Sequence, residues 1–332
     1  MRMDGAAPPV DRARPDAVST DGDATSDASN WLAIYNPTAG RSRRTRGWMR
    51  VERTLRASGL RFDVATTTAA GDAADIAAKA VREGARRIMV AGGDGTVHEV
   101  VNGLMREYAR RAADDRPTLV PLPLGTGNDW ARSLRLPHDP LELARCIKLG
   151  RTILHDAGQI VFPEDLQAVH WFINVAGAGF DAHVISRLPA QTPSALAYLK
   201  SALVELRRYR SPQFRLTCDS DVPVEGRFLL AFVANAEYCG HRMHVAPTAI
   251  LDDGRLDVVT IDEVGLLRAL PKLLKLYGSS ILSDPVVRHR VVTTVRIDAD
   301  PAVAVEADGQ LVGRTPAVFS LQRQALRVIV GD

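Results

Sequence analysis

"MVAGGDGTVHEVVNGL", residues 89–104, sets an apolar run directly against a glycine-rich turn holding one acid, and the turn against an amphipathic stretch. Val97, Val100, Val101, Leu104 and Met105 recur at helical spacing, and "RRIMVA" (86–91) before the turn is short and apolar, so strand, glycine turn and helix follow in order. The succession recurs downstream, where "TLVPLPL" (118–124) reads as a strand running into "GTGNDWARSL" (125–134). Strands alternating with helices build a parallel sheet, and both glycine turns then lie at its carboxyl edge, where ligands bind.

Outward from these turns the same alternation continues. "WLAIYN" (31–36) reads as the first strand, followed by a Pro/Gly turn and an arginine-rich helix to about Ser58, and "RFDVATTT" (61–68) as the second. "GDAADIAAKAVREG" (71–84) is a helix that Asp72 can cap, with Ile76, Ala80 and Val81 on its buried face and Gly84 at its end. Beyond residue 156 the pattern turns β-rich, in "WFINVAGAGF", "GRFLLAFVANA", "GRLDVVTID", "VVRHRVVTTVRIDAD" and "AVAVEADGQLVG", interrupted by helical stretches at 194–210 and 265–282. Pro271 argues against one straight helix in the second of these. Their leucines read as core-facing, with Leu266, Leu267, Leu270, Leu273 and Leu274 beside Lys272 and Lys275 as the stretch that suits a membrane surface.

With 332 residues and 46% hydrophobic side chains, the chain buries more than one average core, so two lobes are expected. A net charge of +3 from nearly balanced acids and bases lacks the excess of a protein that coats nucleic acid. Basic residues concentrate in "GRSRRTRGWMR" (40–50), a solvated helix face first and an anionic-membrane contact second. Three cysteines without a CxxC pair indicate neither a disulfide framework nor zinc, which fits a reducing cytoplasm. His241 and His244 have HxxH spacing but no Cys or acid at a ligand spacing. Residues 1–29, rich in Pro, Ala, Asp and Ser, read as a disordered tail, and no apolar run reaches the roughly 18 residues of a membrane span.

Glycines let backbone N–H groups approach phosphate oxygens, and the helix N-terminus that follows adds partial positive charge. One such turn equally serves as a tight connection, but two at equivalent edges, each with an acid, favour a nucleotide. A carboxylate in that place binds Mg²⁺ or takes a proton from an attacking hydroxyl, so Asp94 and Asp129 suit phosphoryl transfer, although Asp129, like Asn128, also suits a helix cap. Neither the Walker pattern nor the dinucleotide fingerprint is present.

The chain resembles the lipid kinases comprising diacylglycerol, sphingosine and ceramide kinases. The resemblance rests on "NPTAG" (36–40), "GGDGTVHEVVNGL" (92–104), "PLGTGNDWARSL" (123–134), "NVAGAGFDAHV" (174–184), "APTAILDDGRLDVV" (246–259) and "EADGQ" (306–310), and spans nearly all of the chain except the tail. It implies an α/β N-terminal lobe with an NAD-kinase-like parallel sheet (30–155), and a β-rich C-terminal lobe with a few helices (156–332). The active-site cleft would lie between the lobes, and the last strand would return to the first lobe. By motif it assigns ATP contacts to Asn36, Thr67, Gly92, Gly93, Asp94, Gly95, Thr96, Val97, His98, Gly125, Thr126, Gly127 and Asn128. Asp94, supported by Asp129, would be the acid that orients Mg²⁺ or the hydroxyl. A structural Mg²⁺ loop would use the Asp253 side chain and the Ile250 and Arg255 carbonyls, although "DDG" alone reads equally as a hairpin turn. His98 suits helix surface as well as nucleotide contact.

One position departs from the family pattern. Its "DGE" is here Asp308, Gly309 and Gln310, and an amide cannot accept a proton, so a base falls to Asp94, Asp308 or Glu306 or is dispensed with. In an extended strand Glu306, Asp308 and Gln310 would share one face, whereas the Asp-Gly pair predicts a turn. The function expected is an ATP- and Mg²⁺-dependent lipid kinase phosphorylating a hydroxyl of a diacylglycerol or sphingoid-like lipid. Its setting would be the cytoplasm, in peripheral contact with a membrane surface, without nucleic acid, and with a homodimer among the expected states. The alternatives are an NAD kinase, which shares the "GGDGT" turn, and a nucleotide- or lipid-binding protein weakened by Gln310.

Overall fold

The computed structural model describes residues 19–20, 30–38, 44–108, 116–188, 195–264, 275, 277–278 and 280–332. Within the stretch read as a tail, β1 (Ser19–Thr20) pairs with Arg151 and Thr152, and the rest of 1–29 lies outside the described residues.

The first lobe is built from β2 (Trp31–Tyr35), α1 (Arg44–Ala57), β3 (Phe62–Thr66), α2 (Asp72–Arg82), β4 (Arg87–Gly92), α3 (Asp94–Tyr108) and β5 (Thr118–Pro123). Its strands are all parallel, in the spatial order β5, β4, β2, β3. The order reverses between β2 and β4, the switch point at which open α/β sheets leave a crevice. Helix α3 begins at Asp94, three residues before its first apolar position, so the acid of the first glycine turn is itself helical. Val100, Val101, Leu104 and Met105 of α3 are buried against the sheet, worth about 1.5–3 kcal/mol each. Helix α2 starts differently from the sequence reading. Its N-cap is Gly71, and the Asp72 carboxylate instead accepts from the Thr68 and Ala69 N–H groups and the Thr68 hydroxyl, bracing the preceding turn.

Two helices, α4 (Asp129–Ser133) and α5 (Pro140–Leu149), lead to β6 (Arg151–Phe162). Helix α5 has Asp139 as N-cap, Pro140 in its first turn and Gly150 at positive φ beyond its end. The second lobe follows with β7 (Asp165–Phe172), β8 (Val175–Gly179), α6 (Phe180–Arg187), α7 (Ala195–Leu206), β9 (Gln213–Cys218) and β10 (Val224–Ala234). A short hairpin, β11 (Tyr238–Cys239) and β12 (Met243–His244), precedes β13 (Leu256–Asp262) and β14 (Val287–Val292). The chain closes with β15 (Val295–Asp300), β16 (Ala304–Ala307), β17 (Gln310–Arg314) and β18 (Ala317–Ile329). The 265–282 stretch read as a helix lies largely outside the described residues.

Strand β10 joins two layers. Its first half pairs with β9 and its second with β8 and β13, and Phe172, Phe214, Phe228 and Phe319 fill the core. Strand β18 joins the lobes. It runs antiparallel to β6 and β15, and at Arg327 and Val328 parallel to β5 of the first lobe. A bulge between Gln322 and Leu326 makes that passage possible, and the Asp156 carboxylate fills it by accepting from Gln324 N at 2.6 Å.

Three of the β-rich segments each hold two strands, and a carboxylate makes the break in two of them. "VVRHRVVTTVRIDAD" becomes β14 and β15 because Asp219 accepts from the N–H groups of Thr293 and Thr294. "WFINVAGAGF" becomes β7 and β8 because Asp308 takes those of Ile173 and Asn174. "AVAVEADGQLVG" folds at Asp308 and Gly309, both at positive φ, so the turn wins over the extended strand.

Candidate active site

Gly92 ends β4 and Pro123 ends β5, and they pair in register, so the two glycine turns leave the sheet side by side. The turns then pack against each other. A methyl group added to Gly125 would lie 2.8 Å from Gly93 Cα, and one added to Gly127 would lie 2.5 Å from Asp94 Oδ2. Only bare backbone fits there, and the leading N–H groups of α3 have no intrahelical acceptor. The two turns form a cradle of a kind that can hold phosphate oxygens.

Asp94 lies between the turns. Its Oδ1 accepts from Asp129 N at 2.8 Å, and burial, with the Asp129 charge second, pushes its pKa up to about 7. Asp129 is 3% exposed, and burial raises its pKa too, against the N–H groups of Arg242 and His241 that hold its carboxylate at 2.8 and 2.9 Å. Two carboxylates that resist ionisation side by side suit a divalent cation, and the donors are the hard oxygens that Mg²⁺ takes.

The other residues expected at the nucleotide divide into those at the cradle and those beneath it. Asn36 donates to Thr96 Oγ1 at 3.0 Å, tying the loop after β2 to the first glycine turn across the switch point. Thr96 and Val97 are buried and support that turn from below, since Gly92 has no room for a side chain over Thr96. Thr67 is buried at the end of β3, its N–H held by Tyr35 O. Asn128 adopts positive φ and closes the second turn through Gly125 O at 2.8 Å. Thr126 is exposed on that turn, 3.3 Å from His241 Nε2 of the second lobe. His98 turns toward the second lobe. Its Nδ1 lies 3.2 Å from Asp308 Oδ2, joining α3 to the β16–β17 turn.

Asp308 is an anchor. Its side chain is 1% exposed, and it accepts from Ile173 N, Asn174 N and His98 at 3.0, 2.9 and 3.2 Å. Asn102, one turn along α3 from His98, adds bonds to both Trp171 N and Trp171 O. The turn so pinned holds the Gln310 side chain against the first glycine turn, its Nε2 3.6 Å from the place a Cβ would take on Gly95. Glu306 is buried beneath, donated to by Gly309 N at 2.7 Å, and burial with the nearby Asp181 pushes its pKa well up.

The Ile250, Asp253 and Arg255 group stands apart from the cradle. Asp253 Oδ1 accepts from Arg255 N at 2.9 Å, and Gly254 N donates to Asp156 Oδ2 at 2.7 Å. Burial raises the Asp156 pKa and the Asp253 charge adds to it, while the Gln324 and Gly254 N–H groups and the Arg323 guanidinium oppose the rise. His241 and His244 turn to different partners, Thr126 and Glu237.

Sequence reading did not single out Asp156, Asp181 or Arg132 for the site. Asp156 carried a signal, an acid inside the otherwise apolar run "ILHDAGQIV". It adjoins His155, which is fully buried and held neutral, its pKa pushed down by burial to about 4. Trp130 of α4 donates to His155 Nε2 at 3.1 Å, so the ring proton sits on Nδ1, toward Asp156 O.

Comparison with known proteins gives a consistent set of likenesses. The family model "Diacylglycerol kinase catalytic domain" matches residues 30–160, and "YegS C-terminal NAD kinase beta sandwich-like domain" matches residues 174–330. The diacylglycerol kinase of Mycobacterium tuberculosis is 33% identical over 266 residues, covering 78% of this chain and 82% of that protein. The diacylglycerol kinase of Bacillus subtilis is 28% identical over 291 residues, covering 86% and 91%. At the level of fold, a crystal structure of a diacylglycerol kinase from Bacillus anthracis superposes with a TM-score of 0.69 at 23% identity, covering 91% of this chain and 97% of that one.

Proposed function

Because the chain belongs to the diacylglycerol kinase family of lipid kinases, we propose that it transfers the γ-phosphoryl group of ATP to a hydroxyl of a diacylglycerol- or sphingoid-like lipid. The observation that carries this reading is Asp94, set between two glycine turns that pack too closely for a Cβ at Gly125 or Gly127, with its pKa near 7. The N–H groups of Gly93–Gly95 and of Gly125–Gly127 bind the phosphates, and Asn36 and Thr96 keep the first turn in place.

Asp94 orients the acceptor hydroxyl and takes its proton when ionised. Asp129, its oxygens occupied by second-lobe N–H groups, keeps that lobe closed over the cradle. Asp94, with Asp129 behind it, would hold Mg²⁺, which would supply charge neutralisation at the phosphates, and the Asp253 side chain with the Ile250 and Arg255 carbonyls would hold a second, structural ion. Gln310 offers an amide N–H to a phosphate oxygen where the family's usual Glu would accept a proton. Phosphoryl transfer tolerates the exchange because its loose transition state depends chiefly on positioning and charge stabilisation. Asp308 and Glu306 are filled by protein N–H groups and act as positioning residues. The lipid is met in peripheral contact with a membrane on the cytoplasmic side.

Transfer of labelled phosphate from ATP with Mg²⁺ to a lipid panel and to NAD tests the reading, in wild type, Asp94→Asn and Gln310→Glu. Lipid labelling that Asp94→Asn removes supports it. Labelling of NAD alone would replace it with the NAD kinase alternative. A silent wild type revived by Gln310→Glu would mean a binding protein that lost its base.

A further inference from the structure

Helix α4 is five residues long, a single turn with little rigidity of its own, yet the geometry around Asp94 depends on where it stands. Asp129 opens the helix, and its N–H donates to Asp94 Oδ1 at 2.8 Å. The Trp130 and Asn128 N–H groups act on the same carboxylate, holding its pKa back against burial. A support outside the helix has to fix it. Trp130 reaches one. Its indole is fully buried, lines the small cavity beside Gly92, Gly93 and Asp94, and donates from Nε1 to His155 Nε2 at 3.1 Å. The two rings meet edge to face, 5.7 Å between centroids. A buried indole N–H needs an acceptor, and His155 supplies it.

The imidazole is itself fastened to the junction of the lobes. His155 stands on β6 opposite Leu326, at the end of the bulge by which β18 crosses over. Its Nδ1–H donates to Asp156 O, which also accepts from Asn235 Nδ2 at 2.9 Å. The Asp156 carboxylate is held in turn by Gln324 N and Gly254 N at 2.6 and 2.7 Å. Burial keeps the ring neutral, its pKa pushed down to about 4, so Nε2 remains an acceptor near neutral pH. We propose that His155 is a positioning residue for phosphoryl transfer: through the Trp130 indole it holds α4, and with it the Asp129 and Trp130 N–H groups, against the Asp94 carboxylate. The role rests on the lipid kinase reading and adds to it a residue buried away from the cradle. Without the link α4 tilts and Asp94 leaves its place before the acceptor hydroxyl, while the first glycine turn still binds phosphate. A displacement of about 1 Å costs on the order of 10²-fold in rate, so the loss falls on kcat rather than on KM for ATP.

The test compares full-length wild type, Trp130→Phe, His155→Leu, His155→Gln and the double variant Trp130→Phe/His155→Leu, with ATP, Mg²⁺ and the lipid that wild type labels. Trp130→Phe and His155→Leu should each lower kcat per folded molecule by about 10–100-fold, with KM for ATP changed by less than about threefold. The double variant should be no slower than the slower single one, because both changes remove the same link. His155→Gln, whose amide oxygen accepts from the indole, should recover part of the loss. The link itself is read from the ¹⁵N–¹H resonance of the Trp130 indole, identified by its absence in Trp130→Phe. It should lie downfield in wild type and His155→Gln and move upfield in His155→Leu. Should His155→Leu fail to fold by circular dichroism, Trp130→Phe, which keeps an aromatic ring in place, decides the kcat comparison. Full kcat in the folded variants overturns the positioning role, as do multiplicative losses in the double variant or a fall in rate carried by KM alone. An indole resonance unmoved between wild type and His155→Leu overturns the link whatever the activity. A wild type that labels no lipid overturns the kinase reading itself.

Discussion

Asp94 is held where burial and a like charge both oppose its ionisation, and that has two measurable consequences. A folded-state pKa raised from 3.8 to about 7 contributes stability that is complete below the unfolded value and is lost as pH rises through about 7. Asp94→Asn should therefore melt at a higher temperature than wild type at pH near 8, with the gap closing on acidification to below about pH 4. The same substitution should reduce turnover by about 10²–10⁴-fold. Asp308 belongs to a different kind. Asp308→Ala removes the acceptor for three donors, so urea unfolding should show a loss of about 3 kcal/mol or more, with Asp308→Asn intermediate. Asp94 was legible in the sequence because a lone acid in a glycine turn has little structural use. Asp308 was legible as a motif but not as an anchor, because its partners lie more than a hundred residues away. Asp156 went unnoticed for the same reason, its worth depending on Gly254 and Gln324.

At the scale of elements, two glycines separate stability from chemistry. Gly127 lies against both carboxylates, 2.5 Å from Asp94 and 3.3 Å from Asp129 for an added Cβ. Gly127→Ala should displace Asp94 and lower kcat by about 10²-fold while ATP-analogue binding stays within a few-fold. Gly103 instead lies in the α2–α3 seam against the backbone of Ala74. Gly103→Ala should lower the melting temperature and leave kcat per folded molecule unchanged. The helices and parallel strands of the first lobe followed from periodicity, because β2, β4 and β5 are largely apolar runs and each helix has one clean face, while the edge strand β3 is mostly exposed. Strand ends in the second lobe did not. Asp219 and Asp308 cut apolar runs by capturing N–H groups from other strands, and no local pattern announces that.

For the whole molecule, the decisive feature is the strand that belongs to both lobes. Removing the chain from Ala325 onward takes away Arg327 and Val328, the partners of Thr118 and Leu119, and leaves β5 an open edge. Such a chain, or residues 30–155 alone, should lose ATP-analogue binding and aggregate, as read by calorimetry and light scattering, although every glycine-turn residue is present. Two lobes were legible from length and hydrophobic content, and the parallel sheet from its repeated turns. The family resemblance implied a last strand returning to the first lobe, but no local pattern shows where it crosses, because β18 reads as an ordinary alternating strand and its bulge depends on a carboxylate from β6.

The same strand sets an order on synthesis. The cradle's residues emerge early, yet the sheet beneath them lacks a neighbour until Arg327 and Val328 have been translated. A message cut short before them is expected to yield an open-edged sheet, whichever glycine turns it already encodes.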